Sequence, residues 1–238
     1  MSNFQKVLNI VVTGEVDSGK STLIGRFLYE SGVLSQGVTE EIADVCQKLK
    51  DSFEFAYLLD SLEEERKNRL TLDTTQVFCK IKKGKEFVFI DVPGHQELLK
   101  NMLCGSSYAD IAILVIDVQK SIEQQTKRHA LILKFLKIQQ IVIVLNKMDL
   151  IDFNKIIFRK VKQEICKFFK KIDLQPKYCI PTSAKQGDNL LKRSKNMVWY
   201  RGPSLNKALN ACCKKEIDGA FCFPIQDIYN INEEKIAV

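Results

Sequence analysis

The chain has 238 residues, 45% of them hydrophobic, with a net charge of +7. That gives room for one large α/β domain or two small ones and excludes global disorder. No run reaches the roughly 18 consecutive apolar residues of a membrane helix. The opening stretch MSNFQKVLNIVVTG lacks the order of an export signal. Eight cysteines occur without a C-x-x-C pair. They argue against zinc and for mostly buried, reduced thiols in a cytoplasmic protein.

In chain order, residues 7–14 (VLNIVVTG) read as a first strand and residues 20–32 (KSTLIGRFLYESG) as a helix closed by glycine. Residues 33–74 are long, polar and without strand character. Residues 75–92 read as a hairpin turning at Lys83–Gly84. Then follow a helix over 96–107, a strand over 111–117, a helix over 121–137 and a strand over 141–147. A helix over 154–172 and a strand over 177–184 come next, and a last helix opens at Pro203–Ser204. The expected architecture is α/β: a P-loop fold with a mostly parallel six-stranded sheet, helices on both faces and one antiparallel edge hairpin.

From about residue 220 the pattern changes. AFCFPIQDIYNINEEKIAV alternates apolar and polar residues. The expectation is a nucleotide-binding domain over 1–219 and, over 220–238, the start of a truncated or absent β-barrel. Lysines cluster at 80–85, 170–177 and 192–195. Solvated faces are the first reading and an acidic partner the second. Aromatic residues are not interleaved as a base-stacking platform requires.

GEVDSGKS, residues 14–21, fits G-x-x-x-x-G-K-[ST] between a strand and a helix. Backbone N–H groups of Gly14, Val16, Asp17, Ser18, Gly19 and the helix start, through Thr22, suit phosphate oxygens. Lys20 is placed to reach the β- and γ-phosphates, and Ser21 to offer a hydroxyl to Mg²⁺. DVPGH, residues 91–95, ends the next strand. Asp91 suits the magnesium ion through water, and Gly94 can bring its N–H close to a γ-phosphate. NKMD, residues 146–149, offers Asp149 to the N1–H and amine of guanine, which adenine lacks in that arrangement. Asn146 ties this segment to the loop and the Lys147 stem lies along the base. Ser183 and Ala184, in TSA, offer a backbone N–H to the base oxygen. Four motifs in order, each after a strand, point to GTP or GDP with Mg²⁺ at the carboxyl ends of a parallel sheet.

Over nearly its full length the chain resembles the translation-factor-type GTPases. The resemblance rests on GEVDSGKSTLIGRFLY, FAYLLDSLEEER, DVPGHQELLKNM, QTKRHA, NKMDLID and GDNLLKRSKNMVWYRGP. Two related families share these stretches: the GTPase subunit of bacterial sulfate adenylyltransferase and the elongation factor that carries aminoacyl-tRNA in archaea and eukaryotes. LLDSLEEER with TLDTTQ is the more similar to the sulfate-activating subunit. That resemblance implies a GTPase that drives adenylyl sulfate synthesis in an adenylyl-transferring partner subunit, with no membrane and no nucleic acid. The alternatives are an elongation- or release-type factor, with tRNA or the ribosome as partner, and a GTP-binding scaffold with impaired hydrolysis.

The resemblance also implies roles. Thr71 is the switch threonine on Mg²⁺ and the γ-phosphate, so that Ser21, Thr71 and Asp91 make the metal set. His95 orients the attacking water, with Lys20 and Thr71 beside it in catalysis. Val16 and Leu70 screen His95. His129 has no catalytic role, and Trp199 packs against the last helix. In place of the family glycine before the switch isoleucine stands Arg69, a poor residue where φ is positive.

Overall fold

The computed structural model describes residues 7–33, 75–80, 85–91, 109–214, 228–231 and 234–237, with the backbone alone for Thr75, Gln76 and the last two stretches. The expected helix over 96–107, the hairpin turn at Lys83–Gly84, most of the polar segment 33–74, and Arg69, Leu70, Thr71, Gly94 and His95 lie outside the described residues.

Six strands form one sheet in the order β2-β3-β1-β4-β5-β6. They are β1 (Leu8–Gly14), β2 (Thr75–Lys80), β3 (Glu86–Asp91), β4 (Ile111–Asp117), β5 (Gln140–Asn146) and β6 (Tyr178–Pro181). Only β2 runs antiparallel, paired with β3 from Thr75↔Asp91 to Lys80↔Glu86. The expected edge hairpin is therefore present. All seven residues of β4 are buried, as a strand covered on both faces must be.

The helices are α1 (Lys20–Ser31), α2 (Gln124–Phe135), α3 (Lys155–Lys171) and α4 (Leu205–Asn210). From β1 the chain builds toward β3 on one side and toward β4 and β5 on the other. Right-handed crossovers in both directions set α1 on one face and α2 and α3 on the other. β1 is thus the switch point of the sheet, and its carboxyl end is where a ligand crevice opens.

Each helix lies where its apolar spacing demands. In α3, Phe158, Val161, Ile165 and Phe169 are buried at helical intervals. Each stabilises the fold by about 1.5–3 kcal/mol through removal from water. Asn154 starts this helix by accepting hydrogen bonds from the N–H groups of Ile156 and Ile157. Phe27 of α1 meets Phe89 of β3 edge-on, with centroids 5.4 Å apart.

Three local expectations change. Pro203 is not the first helical residue, because Ser204 caps α4 and accepts from the Lys207 N–H. Trp199 does not pack on α4. It lies against Phe158 at 5.1 Å and donates Nε1–H to the Phe153 carbonyl at 3.0 Å. Among the described cysteines, Cys79 and Cys212 are buried, whereas Cys166 and Cys213 are exposed. Burial raises the thiol pKa of Cys79 and Cys212 and pushes that of Cys179 up to about 12.

Past residue 227 the backbone forms a second, separate pair: β7 (Ile228–Ile231) runs antiparallel to β8 (Glu234–Ala237). Among the described residues no helix is long and apolar enough to cross a membrane.

Candidate nucleotide-binding site

The end of β1 delivers the chain into a tight loop. Gly14 passes so close to β4 that a Cβ would collide with the Val115 carbonyl. Asp17 has φ 60° and Gly19 has φ 87°, which makes Gly19 the left-handed N-cap of α1. A Cβ on Gly19 would strike Asn146 Nδ2. Glycine is required here by conformation and by space. The Ser18 N–H donates to the Glu15 carbonyl at 3.2 Å, and the Leu23 N–H to the Gly19 carbonyl at 2.9 Å. Val16 and Asp17 are exposed, Gly19, Ser21 and Thr22 are half-buried, and Ser18 is buried. Ser18 Oγ has no hydrogen-bond partner among the described residues, so the loop holds one donor unused by the protein.

Lys20 is 8% exposed. Its ammonium donates to the Gly14 and Glu15 carbonyls at 3.2 and 2.8 Å. Burial lowers its pKa, against the raising charges of Asp91, Asp17 and Glu15. A desolvated cation on two neutral carbonyls is under-compensated, and a polyphosphate in the loop mouth would compensate it. Ser21 Oγ lies 3.5 Å from Asp91 Oδ2 at the end of β3. One hydroxyl and one carboxylate oxygen side by side suit a small hard cation that keeps its other positions for phosphate and water.

The second half of the site is built on β5. Asn146 is 2% exposed. Its Nδ2 donates to the Ser18 carbonyl at 2.9 Å, and its Oδ1 accepts from the Ala184 N–H at 2.9 Å and the Thr182 hydroxyl at 3.4 Å. This one side chain joins the phosphate loop to the TSA segment. Lys147 then turns left-handed at φ 65°, so β5 ends at Asn146 and not at Lys147. A non-glycine residue in that region costs about 1–2 kcal/mol. Its ammonium pairs with Asp117 Oδ2 at 2.8 Å, which fixes the stem. Asp149 follows in the 3₁₀ turn Met148–Ile151 and is half-buried. Its carboxylate makes no hydrogen bond or ion pair with any described residue. Ser183 and Ala184 are buried, and Ser183 Oγ accepts from the Gln186 N–H at 3.2 Å.

Two residues of the site, Asp117 and Glu15, are not specified by the motif patterns: Glu15 fills a free position of GEVDSGKS and Asp117 lies outside all four motifs. Asp117 is 6% exposed at the end of β4; besides Lys147, it accepts from the Gln119 N–H at 2.9 Å. A strand-end aspartate was the only available signal. Glu15, 8% exposed, accepts from the Thr126 N–H and hydroxyl at 3.2 and 2.8 Å. It thereby anchors the loop to the start of α2. His129, one turn on, is also buried; burial and then the Lys20 charge lower its pKa to about 4, against Glu15.

A family model described as Elongation factor Tu GTP binding domain matches residues 5–215. Elongation factor 1-alpha of Pyrococcus horikoshii is 40% identical over 227 residues, which cover 94% of this chain and 52% of that protein. The factor of Methanocaldococcus jannaschii is 38% identical over 240 residues, covering 97% and 56%. The chain spans about half the length of the curated relatives it matches. Among solved structures, the S. cerevisiae Ski7 GTPase-like domain bound to GTP superposes with a TM-score of 0.71 at 24% identity, over 86% of this chain and 49% of that one. That likeness bears on the fold alone. The bacterial selenocysteine-specific elongation factor EF-Sec gives 0.55 at 26% identity, over 76% and 26%.

These relatives support the elongation-factor alternative better than the resemblance to the sulfate-activating subunit. They contradict the expectation of an adenylyl-transferring partner without nucleic acid. The stretches that favoured that subunit, 58–66 and 71–76, together make up fifteen residues. Short motifs imposed by a shared ligand do not separate families; identity over 227 residues does.

Proposed function

Because this chain belongs to the elongation factor Tu GTP-binding domain family and is a GTPase domain of translation-factor type, we propose that it binds and hydrolyses GTP with Mg²⁺ in the cytoplasm as an elongation- or release-type factor working with tRNA at the ribosome. The observation that carries the nucleotide reading is Asn146, whose amide holds the phosphate loop and the TSA segment together at 2.9 Å on each side. The identity to elongation factor 1-alpha, 38–40% over most of this chain, supports the translational reading. We take residues 1–219 as the GTP-binding domain and 220–238 as the opening of a β unit.

In this reading the amides of Gly14 through Thr22 and the Lys20 ammonium hold the phosphates, and Lys20 leaves its two carbonyls to do so. Ser21 and Asp91 would hold Mg²⁺ together with Thr71; the ion offsets charge on the phosphates. Gly94 adds an N–H at the γ-phosphate, and His95 positions water for in-line attack. Asp149, Lys147 and the Ser183–Ala184 backbone read guanine.

Arg69, where the family pattern carries glycine, favours a second reading in which GTP is bound and scarcely hydrolysed. One experiment separates the two. Calorimetry with Mg²⁺ should detect GTP and GDP binding and far weaker ATP binding. Single-turnover hydrolysis should then rise when ribosomes are added, and His95→Ala should abolish the rise. GTP binding with no turnover under any condition supports the scaffold; no GTP binding removes both.

A further inference from the structure

Positive charge in this chain is concentrated over residues 120–215, which sum to +16, and the larger part of it lies in 120–177. Residues 120–177 hold fourteen lysines and arginines against five aspartates and glutamates, a net +9 where the whole chain is +7. The remaining residues therefore sum to −2. Helix α3 carries the densest part, with seven cations and one carboxylate in 17 residues.

The fold turns this composition into a surface. Phe158, Val161, Ile165 and Phe169 are buried, which drives Lys155, Arg159, Lys160, Lys162, Lys167, Lys170 and Lys171 outward, and every one is exposed. None pairs with a carboxylate among the described residues. The single acid, Glu164, accepts from the Ser121 hydroxyl at 2.7 Å and so is engaged toward α2. Neighbours three and four apart on a helix stand about 5–6 Å apart, and the helix is about 25 Å long. Self-repulsion of this kind lowers stability; a polyanion along the helix would relieve it.

We infer that the outer face of α3 is an RNA-binding surface that grips the phosphodiester backbone. The choice of RNA as the polyanion rests on the translation-factor reading; the charge argument does not. The contacts are to phosphates, so the face carries no base selectivity and its affinity falls steeply with salt. None of its residues is among those proposed to hold the nucleotide, so nucleotide binding is not required for the contact.

The test measures binding of fluorescein-labelled total tRNA to the full chain from 50 to 200 mM salt, beside GDP affinity. One variant carries Arg159→Ala, Lys160→Ala, Lys167→Ala and Lys171→Ala. A control removes charge elsewhere with Lys185→Ala, Lys192→Ala and Lys195→Ala. The α3 variant should bind tRNA at least tenfold more weakly at 50 mM. Its slope of log affinity on log salt should flatten by about three to four, from roughly 0.7–0.9 for each of four lost phosphate contacts. The control should stay within twofold, and GDP affinity should be unchanged in both. Lys160→Gln with Lys167→Gln gives a smaller loss in the same direction should the larger variant lose helicity. Unchanged tRNA binding in the α3 variant overturns the proposal, as does an equal loss in the control. Competition by polyglutamate of matched charge as strong as by RNA also overturns it, in favour of an acidic protein. A chain that binds GDP but no tRNA refutes the surface and leaves the nucleotide reading standing; a chain that binds tRNA through α3 but no guanine nucleotide does the reverse.

Discussion

Asn146 and Ser18 are 128 positions apart, and the amide of one is bonded to the carbonyl of the other at 2.9 Å. The bond sets the distance between the phosphate loop and the segment that follows β5. A ligand with a polyphosphate at one end and a base at the other therefore meets both halves in one fixed relation.

Asn146→Ala should lower stability by about 2–4 kcal/mol, because the Ala184 N–H and the Ser18 carbonyl, both bonded to this side chain, lose their partner in a buried place. GDP affinity should fall with it by at least tenfold. Urea unfolding with and without GDP measures both; a variant of native stability that binds GDP normally would contradict the role.

Asp149→Asn exchanges a carboxylate without a partner among the described residues for a neutral amide that donates where guanine also donates. Two charge-assisted hydrogen bonds are lost, each about 1.5–3 kcal/mol. GTP affinity should drop by two orders of magnitude or more while thermal stability stays within about 0.5 kcal/mol. Calorimetry against GTP and ATP reads the discrimination directly.

Glu15→Ala strips the first turn of α2 of its acceptor, since the Thr126 N–H and hydroxyl both donate to Glu15. The expected cost is about 1–3 kcal/mol. The loop should also loosen, with a faster GDP off-rate. Glu15→Gln, which keeps an acceptor oxygen, should recover most of both. Stopped-flow release of a fluorescent GDP distinguishes this from a purely structural effect, which the off-rate would not follow.

His129 makes the fold sensitive to mild acid. Its pKa is about 4 in the fold, against 6.5 for the ordinary side chain. The folded state keeps it neutral, whereas the unfolded chain takes up a proton below pH 6.5. The effect is therefore absent above pH 6.5, grows as pH falls and is complete near pH 4, where it reaches about 3 kcal/mol. Urea unfolding at pH 7, 5.5 and 4.5 should show this decline, and His129→Gln should flatten it.

Much of this was legible in one dimension. The run IAILVID reads as a doubly covered strand because it is apolar without a break up to Asp117, and every residue of it is buried; such runs alternating with amphipathic stretches leave few topologies open. The loop GEVDSGKS and the segment NKMD are legible because a polyphosphate and a purine impose residue types at fixed spacing, whatever the rest of the chain does. The same property made the sulfate-activating resemblance misleading: ligand-imposed motifs are common to families that differ elsewhere.

Only the folded chain decided the partnerships between distant segments. Asp117 meets Lys147 and Glu15 meets Thr126 across 30 and 111 positions, and a lone aspartate or glutamate carries no mark of its future partner. Trp199 chose Phe158 and the Phe153 carbonyl for the same reason. The basic residues of α3 were visible as composition; that all seven are exposed, unpaired by any described carboxylate, follows from which helix face the sheet buries. Sequence records local preference and the demands of a ligand. Charge pairing and the sidedness of a helix depend on packing in three dimensions, and packing exists only once the sheet has brought its strands together.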